Sequence, residues 1–286
     1  MRQLSPWAVG PLIAGAFVLL TWLERRRPLR KRIEPGVEHG VRNLAIAGAG
    51  ALTMVVFESP LIQPLALLVE QKRWGLLGAF QLPIWAEAAV ALVLMDYTFY
   101  VWHVLLHRAP LLWRFHAVHH VDLDLDTSTA LRFHFGELVL SVPWRAAQVA
   151  LIGLSPFTFG LWQVWFTLCV IFHHSNLRLP IALERIINRV LVTPRMHGVH
   201  HSNHPEETNS NWSSGLTIWD WLHGTLRLDI PQANIEIGVP AYQDASSVAL
   251  LKVMQMPFKD QPNYWRFPDG REPELRPSPK SDLMLP

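Results

Sequence analysis

Residues 96–107 read DYTFYVWHVLLH and close a long apolar run. Asp96, Tyr100, His103 and His107 follow one another at spacings of four, three and four, so a helix places them along one face. An apolar run of this length can cross a bilayer. The sequence therefore predicts a membrane helix whose last turns carry histidines, with a carboxylate deeper in the same helix.

The composition favours a membrane protein. Of 286 residues, 50% are hydrophobic and 17% are charged, which is more apolar than an ordinary soluble domain. The single cysteine, Cys169, excludes a disulfide framework and a cysteine-based zinc or iron-sulfur site. The formal net charge is +2, but six basic residues fall between positions 25 and 32. A basic run beside an apolar segment is typical of the cytosolic end of a membrane helix and gives no reason to expect nucleic-acid binding.

Five apolar stretches are candidate membrane segments. The second is broken by Glu58, Pro60 and Pro64, so it is either one kinked span or two half-spans. The last two are short and meet at Ser155 and Pro156, which predicts a membrane hairpin. The first precedes the basic run, whereas the basic flank of a signal peptide comes before its apolar core. The stretches cover 6–22, 43–69, 84–102, 138–154 and 157–172.

These segments predict an all-α integral membrane bundle of about three spanning helices plus a membrane hairpin. Counting crossings from the basic run returns residues 103 and 173 to the cytosolic face. A cytosolic, helical, histidine-rich dimetal domain is expected to cap the bundle there. The predicted organisation is an N-terminal spanning helix with a basic cytosolic segment (1–42), a membrane-embedded domain (43–228) and a proline-rich cytosolic segment (229–286).

Histidine is concentrated in one part of the chain: 13 of 14 lie between His103 and His223. HAVHH at 116–120 and HGVHH at 197–201 repeat one pattern, and each aims three imidazoles from one helix face. Neutral imidazole binds iron, zinc or copper, and one metal accepts about four to six donors. Eight to ten converging histidines therefore predict two metals. Outside these clusters, hydrogen-bonded core or surface roles are the expectation for His39, His204 and His223.

Further candidates flank the hairpin. His134 in RFHFGE precedes it, and His173 and His174 in FHHSN follow it, so both ends return to the face of the clusters and either can complete a metal site. Asp96 is an intramembrane carboxylate, which is costly without a partner. It either accepts a hydrogen bond from a ligating imidazole or forms a helix-to-helix hydrogen bond with no role in chemistry.

Seven segments together carry a resemblance to a known family. In chain order they are DYTFYVWHVLLH, WRFHAVHH, RFHFGE, HHSNLRLP, TPRMHGVHH, EETNSNW and WDWLHGT, between about residues 92 and 228. This order resembles the fatty acid hydroxylase and sterol desaturase superfamily, especially its bacterial sterol-desaturase-like members. The resemblance implies a non-haem diiron oxygenase that uses O2 and two electrons to hydroxylate or desaturate a lipid C–H bond. It implies a multi-pass protein of a bacterial inner membrane, with the histidine site on the cytosolic side.

Carried over by position, the resemblance assigns catalytic and metal-ligating roles to the three histidine boxes. These are His103 and His107, then His116, His119 and His120, then His197, His200 and His201. It adds His134 and His174 as ligands, with His173 as the alternative, and places Asn211 and Asp220 near the site. Two Fe ions are the implied cofactor, with zinc possible in purified protein and O2 as co-substrate. Departures at positions 209, 221 and 223 leave the boxes intact but alter the charges around them.

Two kinds of partner are expected. The chain contains no fused haem or ferredoxin module, so a separate electron-transfer protein is predicted to dock near residues 25–32. Positive-inside topology with anionic lipid contact explains the same basic run. The apolar body of a lipid substrate is expected between the third, fourth and fifth apolar segments. Trp102, Phe115, Phe133 and Trp165 are either its lining or ordinary packing and interface residues.

Other function classes remain open at this point. A dinuclear zinc hydrolase would normally mix carboxylates with its histidines, and no acidic residue lies inside a box. A bis-histidine haem protein would place single histidines within the span. A non-catalytic metal- or lipid-binding membrane protein is the remaining alternative. The sequence does not indicate which lipid is oxidised, or at which carbon.

Overall fold

The computed structural model describes residues 4–274, with the exception of the side chain of Asn234, and residues 275–286 of the predicted proline-rich segment lie outside the described residues. Within the described range all regular secondary structure is helical, which confirms the all-α prediction. The extended segments there meet only as isolated bridges between single residues, Pro28 with Leu177, Leu191 with Leu216, and Ser202 with Ile237.

The helices follow the apolar pattern of the sequence and add short helices on the polar side. In chain order they are α1 (Pro6–Arg26), α2 (Gly36–Thr53), α3 (Ser59–Lys72), α4 (Gly75–Gly78), α5 (Ile84–Arg108), α6 (Pro110–His120), α7 (Phe135–Gln148), α8 (Pro156–His174), α9 (Ile181–Ile187), α10 (Pro194–His200), α11 (Pro205–Thr208), α12 (Ile218–His223) and α13 (Leu250–Gln255). Two π-helical segments, Met54–Glu58 and Val149–Gly153, and four short 3₁₀ segments complete the helical content of the described residues.

Four helical runs are long and apolar enough to cross a membrane: α1, the run Gly36–Gly78, α5 and α8. The predicted second stretch is a continuous helix from α2 to α3 through the π-helical segment Met54–Glu58. At the position of the predicted hairpin, α7 and its π-helical extension turn at Leu154 and Ser155 into α8. Of these two helices, α8 alone is long and apolar enough to cross a membrane. With 25 residues, α5 is about 37 Å long and exceeds the roughly 30 Å hydrocarbon core, so its last turns extend toward the polar side.

The two ends of the bundle are built differently. At one end the turn after α3 meets the hairpin turn, and a Cβ on Gly75 would lie 2.4 Å from the backbone nitrogen of Gly153. Both glycines have positive φ, 79° and 88°, so neither the space nor the backbone accepts a side chain. The opposite end gathers the last turns of α1, α5 and α8 with the first turns of α2 and α7, and it carries the histidines.

Glu24 holds the polar end together from the last turn of α1. Its side chain is 3% exposed, and its Oε2 accepts hydrogen bonds from the backbone N–H of Thr127 at 3.0 Å and of Asn176 at 2.8 Å. The Thr127 hydroxyl donates to the same oxygen at 2.8 Å. One carboxylate therefore ties α1 to the loop after α6 and to the end of α8.

The C-terminal part of the described chain packs over this end. Val239, Val253 and Met256 are buried against Val118 and Val121 at the end of α6. This apolar contact fixes α6, which carries one of the histidine boxes, from the side away from the bundle. The predicted proline-rich segment thus includes a packed portion, built from α13 and 3₁₀ turns.

Candidate dimetal site

Nine histidines converge in two adjacent groups, and within each group one ring nitrogen per histidine lies within 4.8 Å of all the others. All nine are buried except His107, which is half-buried. The first group consists of His103, His107, His116, His120 and His200, and the second consists of His119, His174, His197 and His201.

Each doubled motif contributes to both groups. In α6, His116 and His120 are one helical turn apart and join the first group, whereas His119 turns toward the second. At the end of α10 the division is reversed, because His200 joins the first group and His201 the second. The rings of His120 and His201 stack at 4.4 Å with an interplanar angle of 14°, so the groups share a wall.

The first group is oriented by hydrogen bonds on its outer side. The Nδ1 atoms of three rings donate outward, His103 to the Trp212 carbonyl at 2.7 Å, His116 to a Glu137 carboxylate oxygen at 3.1 Å and His200 to the Ser210 carbonyl at 2.8 Å. Such bonds fix the tautomer and leave Nε2 as the ligand atom. The Nε2 atoms of His107, His116, His120 and His200 are buried with no hydrogen-bond partner among the described residues. This donor set fits a metal ion, which would satisfy these atoms.

The second group brings Nε2 atoms together directly. Nε2 of His174 lies 2.9 Å from that of His119 and 3.0 Å from that of His197, and the His197 and His201 atoms are 3.1 Å apart. Two donors to one ion at metal–nitrogen distances of about 2.1 Å lie no more than about 4.2 Å apart, so these separations fit one ion. His173 lies beside the group, with its ring centre 4.0 Å from that of His197, but it is the ring nitrogen of His174 that lies among the nitrogens of the group.

The electrostatics of the box residues on α6 and α10 favour metal binding. Burial lowers the pKa of His119, His120, His197 and His201 well below the ordinary value, and repulsion from neighbouring imidazoles lowers it further. Burial also lowers the pKa of His200, to about 3, although its bond to the Ser210 carbonyl acts the other way. These imidazoles are therefore neutral at physiological pH, which is the form that binds metals.

The matched region contains both groups: residues 88–225 match the family model for fatty acid hydroxylase. The region of residues 88–225 therefore belongs to the fatty acid hydroxylase superfamily. The chain is 30% identical to an ornithine lipid hydroxylase of Rhizobium tropici over 160 residues, 56% of this chain and 47% of the relative. It is 32% identical to human cholesterol 25-hydroxylase over 142 residues, 48% of this chain and 49% of that protein.

A longer alignment is found with an alkylglycerol monooxygenase of Danio rerio, 26% identical over 234 residues, which are 79% of this chain and 47% of the relative. The chain thus spans about half the length of these curated relatives. No solved structure matches this chain.

His134 occupies a capping position at the start of α7. Its Nδ1 accepts the backbone N–H of Gly136 at 2.9 Å, as the N-cap of α7, and its Nε2 donates to the Met254 carbonyl at 3.1 Å. Both ring nitrogens have partners, and His134 lies outside both groups. This departs from the sequence prediction of a metal ligand.

Among the described residues, Asp96 does not accept a hydrogen bond from an imidazole, which was the first of its two expected roles. Its Oδ2 accepts from the backbone N–H of Leu216 at 2.9 Å and from the indole N–H of Trp219 at 2.7 Å. No imidazole donates to it among the described hydrogen bonds. Asp96 therefore fixes α5 to the segment around α12, in line with its alternative role as a tie between helices.

Asp220 and Asn211 support the histidines indirectly. Asp220 accepts the backbone N–H groups of Trp212 and Ser213, both at 2.9 Å, and the carbonyl of Trp212 in turn accepts from His103. Burial raises the pKa of Asp220, and these hydrogen bonds oppose the rise. Asn211 has a φ of 52° and donates to the carbonyl of Met196, the residue before His197. Both side chains hold backbone in place and contact no ligating ring nitrogen.

A hydrogen-bond network centred on an aspartate lies directly after the second histidine box, and the sequence did not predict it. Asp122 is fully buried and accepts from His39 at 2.9 Å, from Asn43 at 2.9 Å and from Thr129 at 2.9 Å. The charges of His39 and Arg132 hold the pKa of Asp122 below its usual range against the effect of burial. His39 is thus a hydrogen-bonded core residue, as expected, and it links α2 to the end of α6. The signal was present in the alternating aspartates of VDLDLD, directly after the box.

A cavity of about 190 Å³ lies between α5, α7, α8 and the π-helical segment Met54–Glu58. Two of its lining residues contact the histidine groups: Phe133 stacks on His119 at 4.7 Å, and Glu137 accepts a hydrogen bond from His116. Of the four aromatic residues proposed as lining, Trp102 and Phe133 belong to its walls. Phe115 packs on His134, and Trp165 packs at Gly215, away from the cavity walls. Glu137 was missed, although it lies within the quoted RFHFGE.

The basic run divides into two kinds of residue. Arg30 donates to the Gln232 side chain at 2.7 Å and Arg32 pairs with Asp126 at 2.6 Å, so these two hold the cap onto the bundle. Burial lowers the pKa of Arg30 to about 10. Exposed side chains belong to Arg25, Arg26, Arg27 and Lys31. Among the six basic residues of this run, only this second set is exposed.

Proposed function

We propose that this protein is a membrane-bound, O2-dependent non-haem diiron enzyme that hydroxylates a C–H bond of a lipid. The observation that carries the proposal is the pair of all-histidine groups, whose rings of His119 and His116 contact the lining residues Phe133 and Glu137 of a cavity between the helices. The names of the relatives favour hydroxylation over desaturation, since they are hydroxylases and a monooxygenase.

The division of labour follows from the donor sets. His103, His107, His116, His120 and His200 would hold one iron, and His119, His174, His197 and His201 the other. When bound, an iron pair in neutral nitrogen ligands supplies the redox chemistry that activates O2 for attack on an unactivated carbon.

The remaining residues of the site orient the histidine rings and exclude water. Glu137 accepts a hydrogen bond from Nδ1 of His116 and so turns Nε2 of that ring toward the other histidines of the first group. Phe133, stacked on His119, and Trp102 form apolar walls that keep water from the reacting carbon. The lipid would enter from the bilayer between α5, α7 and α8 and place that carbon beside His116 and His119.

The electrons are proposed to come from a separate reduced protein on the cytosolic side of a bacterial inner membrane. The exposed Arg25, Arg26, Arg27 and Lys31 lie at the histidine end of the bundle. They suit both positive-inside orientation and an acidic redox partner.

Metal content with O2 consumption tests the proposal. Purified protein is expected to hold about two iron ions per chain and, under reducing conditions, to consume O2 with a lipid extract of its host. His119→Ala should abolish O2-dependent lipid oxidation, whereas His223→Ala, which removes an exposed histidine outside both groups, should leave it intact. In the host, loss of one oxygenated lipid in the His119→Ala strain would identify the product. Stoichiometric zinc with hydrolysis of lipid esters and no O2 consumption would favour a dinuclear zinc hydrolase instead.

A further inference from the structure

The cavity beside the histidines contains two charged residues away from the metal groups. Glu58 is 3% exposed, and its Oε2 has no hydrogen-bond partner. Arg145 has two unpartnered guanidinium nitrogens, Nε and Nη1, and its guanidinium carbon lies 4.6 Å from the centre of the Trp162 ring. Both residues line the cavity and attract one another, yet no salt bridge joins them among the described residues.

A buried pair of this kind is costly unless a further group supplies the missing hydrogen bonds. A buried carboxylate oxygen or guanidinium N–H without a partner costs free energy, and more so inside a bilayer. A direct ion pair would solve the problem, but the two side chains leave a gap. An occupant that donates to Glu58 and accepts from Arg145 would satisfy both. Because the pair is neutral as a whole, a neutral occupant adds no uncompensated charge.

The position of the pair relative to the histidines sets a length. Glu137, the partner of His116, is in the first turn of α7, and Arg145 lies eight residues later on the same helix. At 1.5 Å per residue, these positions are about 12 Å apart along the helix axis. The cavity therefore has an oxidising end and a polar end, with the aromatic walls Trp102, Phe99 and Phe166 between them.

We propose that this cavity selects lipids that carry a neutral hydroxyl or amide group, which donates a hydrogen bond to Glu58 and accepts one from Arg145. One consequence rests on the proposed function. If the protein hydroxylates the lipid, the oxidised carbon would lie about 12 Å from that hydroxyl or amide group, measured along α7. The aliphatic segment between them lies against the aromatic walls. A lipid without such a group leaves Glu58 and Arg145 unpaired and binds more weakly.

Photolabelling tests the selection without relying on turnover. The probe is a long-chain alcohol with a diazirine near its far end, compared with the matching alkane that lacks the hydroxyl. Full-length, metal-loaded protein in detergent should be labelled about tenfold more by the alcohol, the ratio that corresponds to roughly 1.4 kcal/mol of binding. The labelled peptides should come from α5, α7 or α8.

Variants connect the preference to the two residues. Glu58→Leu and Arg145→Met should each reduce the preference to nearly one, because each removes one of the two hydrogen-bonding groups. The double variant, which leaves neither charge unpaired, should do the same while restoring thermal stability. Glu87→Gln, a substitution on α5 outside the cavity, is the matched control and should keep the preference. Metal content and thermal unfolding establish that each variant is folded.

Equal labelling by alcohol and alkane in the unaltered protein would overturn the selection, as would a preference that survives in the folded double variant. Neither outcome depends on lipid oxidation. A protein that oxidises lipids without the preference keeps the proposed function and loses this inference. A protein that shows the labelling preference but consumes no O2 would keep this inference and lose the proposed function.

Discussion

The two histidine groups differ in what holds their rings in place. In the first group three rings are anchored outward by hydrogen bonds to Trp212, Glu137 and Ser210, while their Nε2 atoms point inward. In the second, only the Nδ1 of His174 has such an anchor, to the Val170 carbonyl at 2.8 Å. The Nδ1 atoms of His119, His197 and His201 have no hydrogen-bond partner among the described residues. The protein around the first group therefore anchors its rings, whereas the rings of the second group are held mainly by contacts with one another.

This difference implies different dependence on metal. A group whose rings are fixed by the protein retains its geometry when the ion leaves, so binding costs little ordering entropy. The second group must order its rings as it binds. We expect the first histidine group to bind its metal ion first and to keep it when the second group is altered. The second group should lose its ion more readily when the first group is altered.

The strongest test uses two adjacent histidines that belong to different groups. His200→Ala removes a ligand from the first group and His201→Ala removes one from the second. Each should lower iron to about one ion per chain and abolish lipid oxidation, measured by elemental analysis and O2 uptake. His201→Ala is expected to retain its remaining iron more tightly against a chelator. If both variants lose both ions together, the groups act as one site and the comparison fails.

Acidification should destabilise the metal-free protein. Because burial lowers the pKa of His200 to about 3 and of His197 and His201 well below the ordinary value, the unfolded chain binds protons before the folded one does. The stability contributed by these neutral rings is fully present above about pH 6.5 and falls as the pH drops below it. Thermal unfolding in detergent at neutral pH and at about pH 5 measures this. An unfolding midpoint that rises on acidification would contradict it, and the metal-loaded protein is the comparison sample.

Removing an outer anchor should weaken one group only. Glu137→Leu deletes the acceptor of His116, and the loss of such a partner typically costs about 10- to 100-fold in metal affinity. The ion of the second group should be unaffected, as measured by titration with a competing chelator. Glu137→Gln, which keeps an acceptor oxygen, should lie between the two. Equal weakening of both ions would show that the anchor acts through the whole site.

The smallest expected effect comes from a residue one step further out. Asp220→Asn replaces an acceptor of the Trp212 and Ser213 N–H groups with an amide that can accept at only one atom. About 1–3 kcal/mol of stability should be lost, read from the unfolding midpoint. Affinity at the first group should fall slightly, since Trp212 anchors His103. An unchanged midpoint would mean that the 212–213 turn is held by other contacts.

The sequence predicted much of the fold because hydropathy and helix length are local properties. The hairpin and the membrane-length helices follow from runs of apolar residues, and the i, i+3, i+4 spacing of histidines correctly brought His116, His119 and His120 to one place. Their division between two groups was not predictable, because it depends on which neighbouring helix each ring meets.

Residue type and position along the chain do not decide which polar atoms are free. His134 was predicted as a metal ligand and caps α7 in the structure, whereas Asp96, for which two roles were open, ties α5 to Leu216 and Trp219. In both cases a backbone donor or an indole uses the polar atoms first. Conversely, Glu137 was overlooked because a single glutamate in a helix gives no periodic signal until the fold places it against His116.

The carboxylate of Glu24 changes how the first helix should be treated in the laboratory. Hydropathy presents α1 as a dispensable anchor, and a shortened protein that begins after Arg27 would be an obvious choice for expression. That protein would lack the only side chain that bonds to both Thr127 and Asn176 in the described hydrogen bonds, and Asn176 follows His174 by two residues. A truncated or N-terminally exchanged protein that fails to hold iron would therefore have lost the hydrogen bonds of Glu24. Its failure would not be evidence against the histidines as metal ligands.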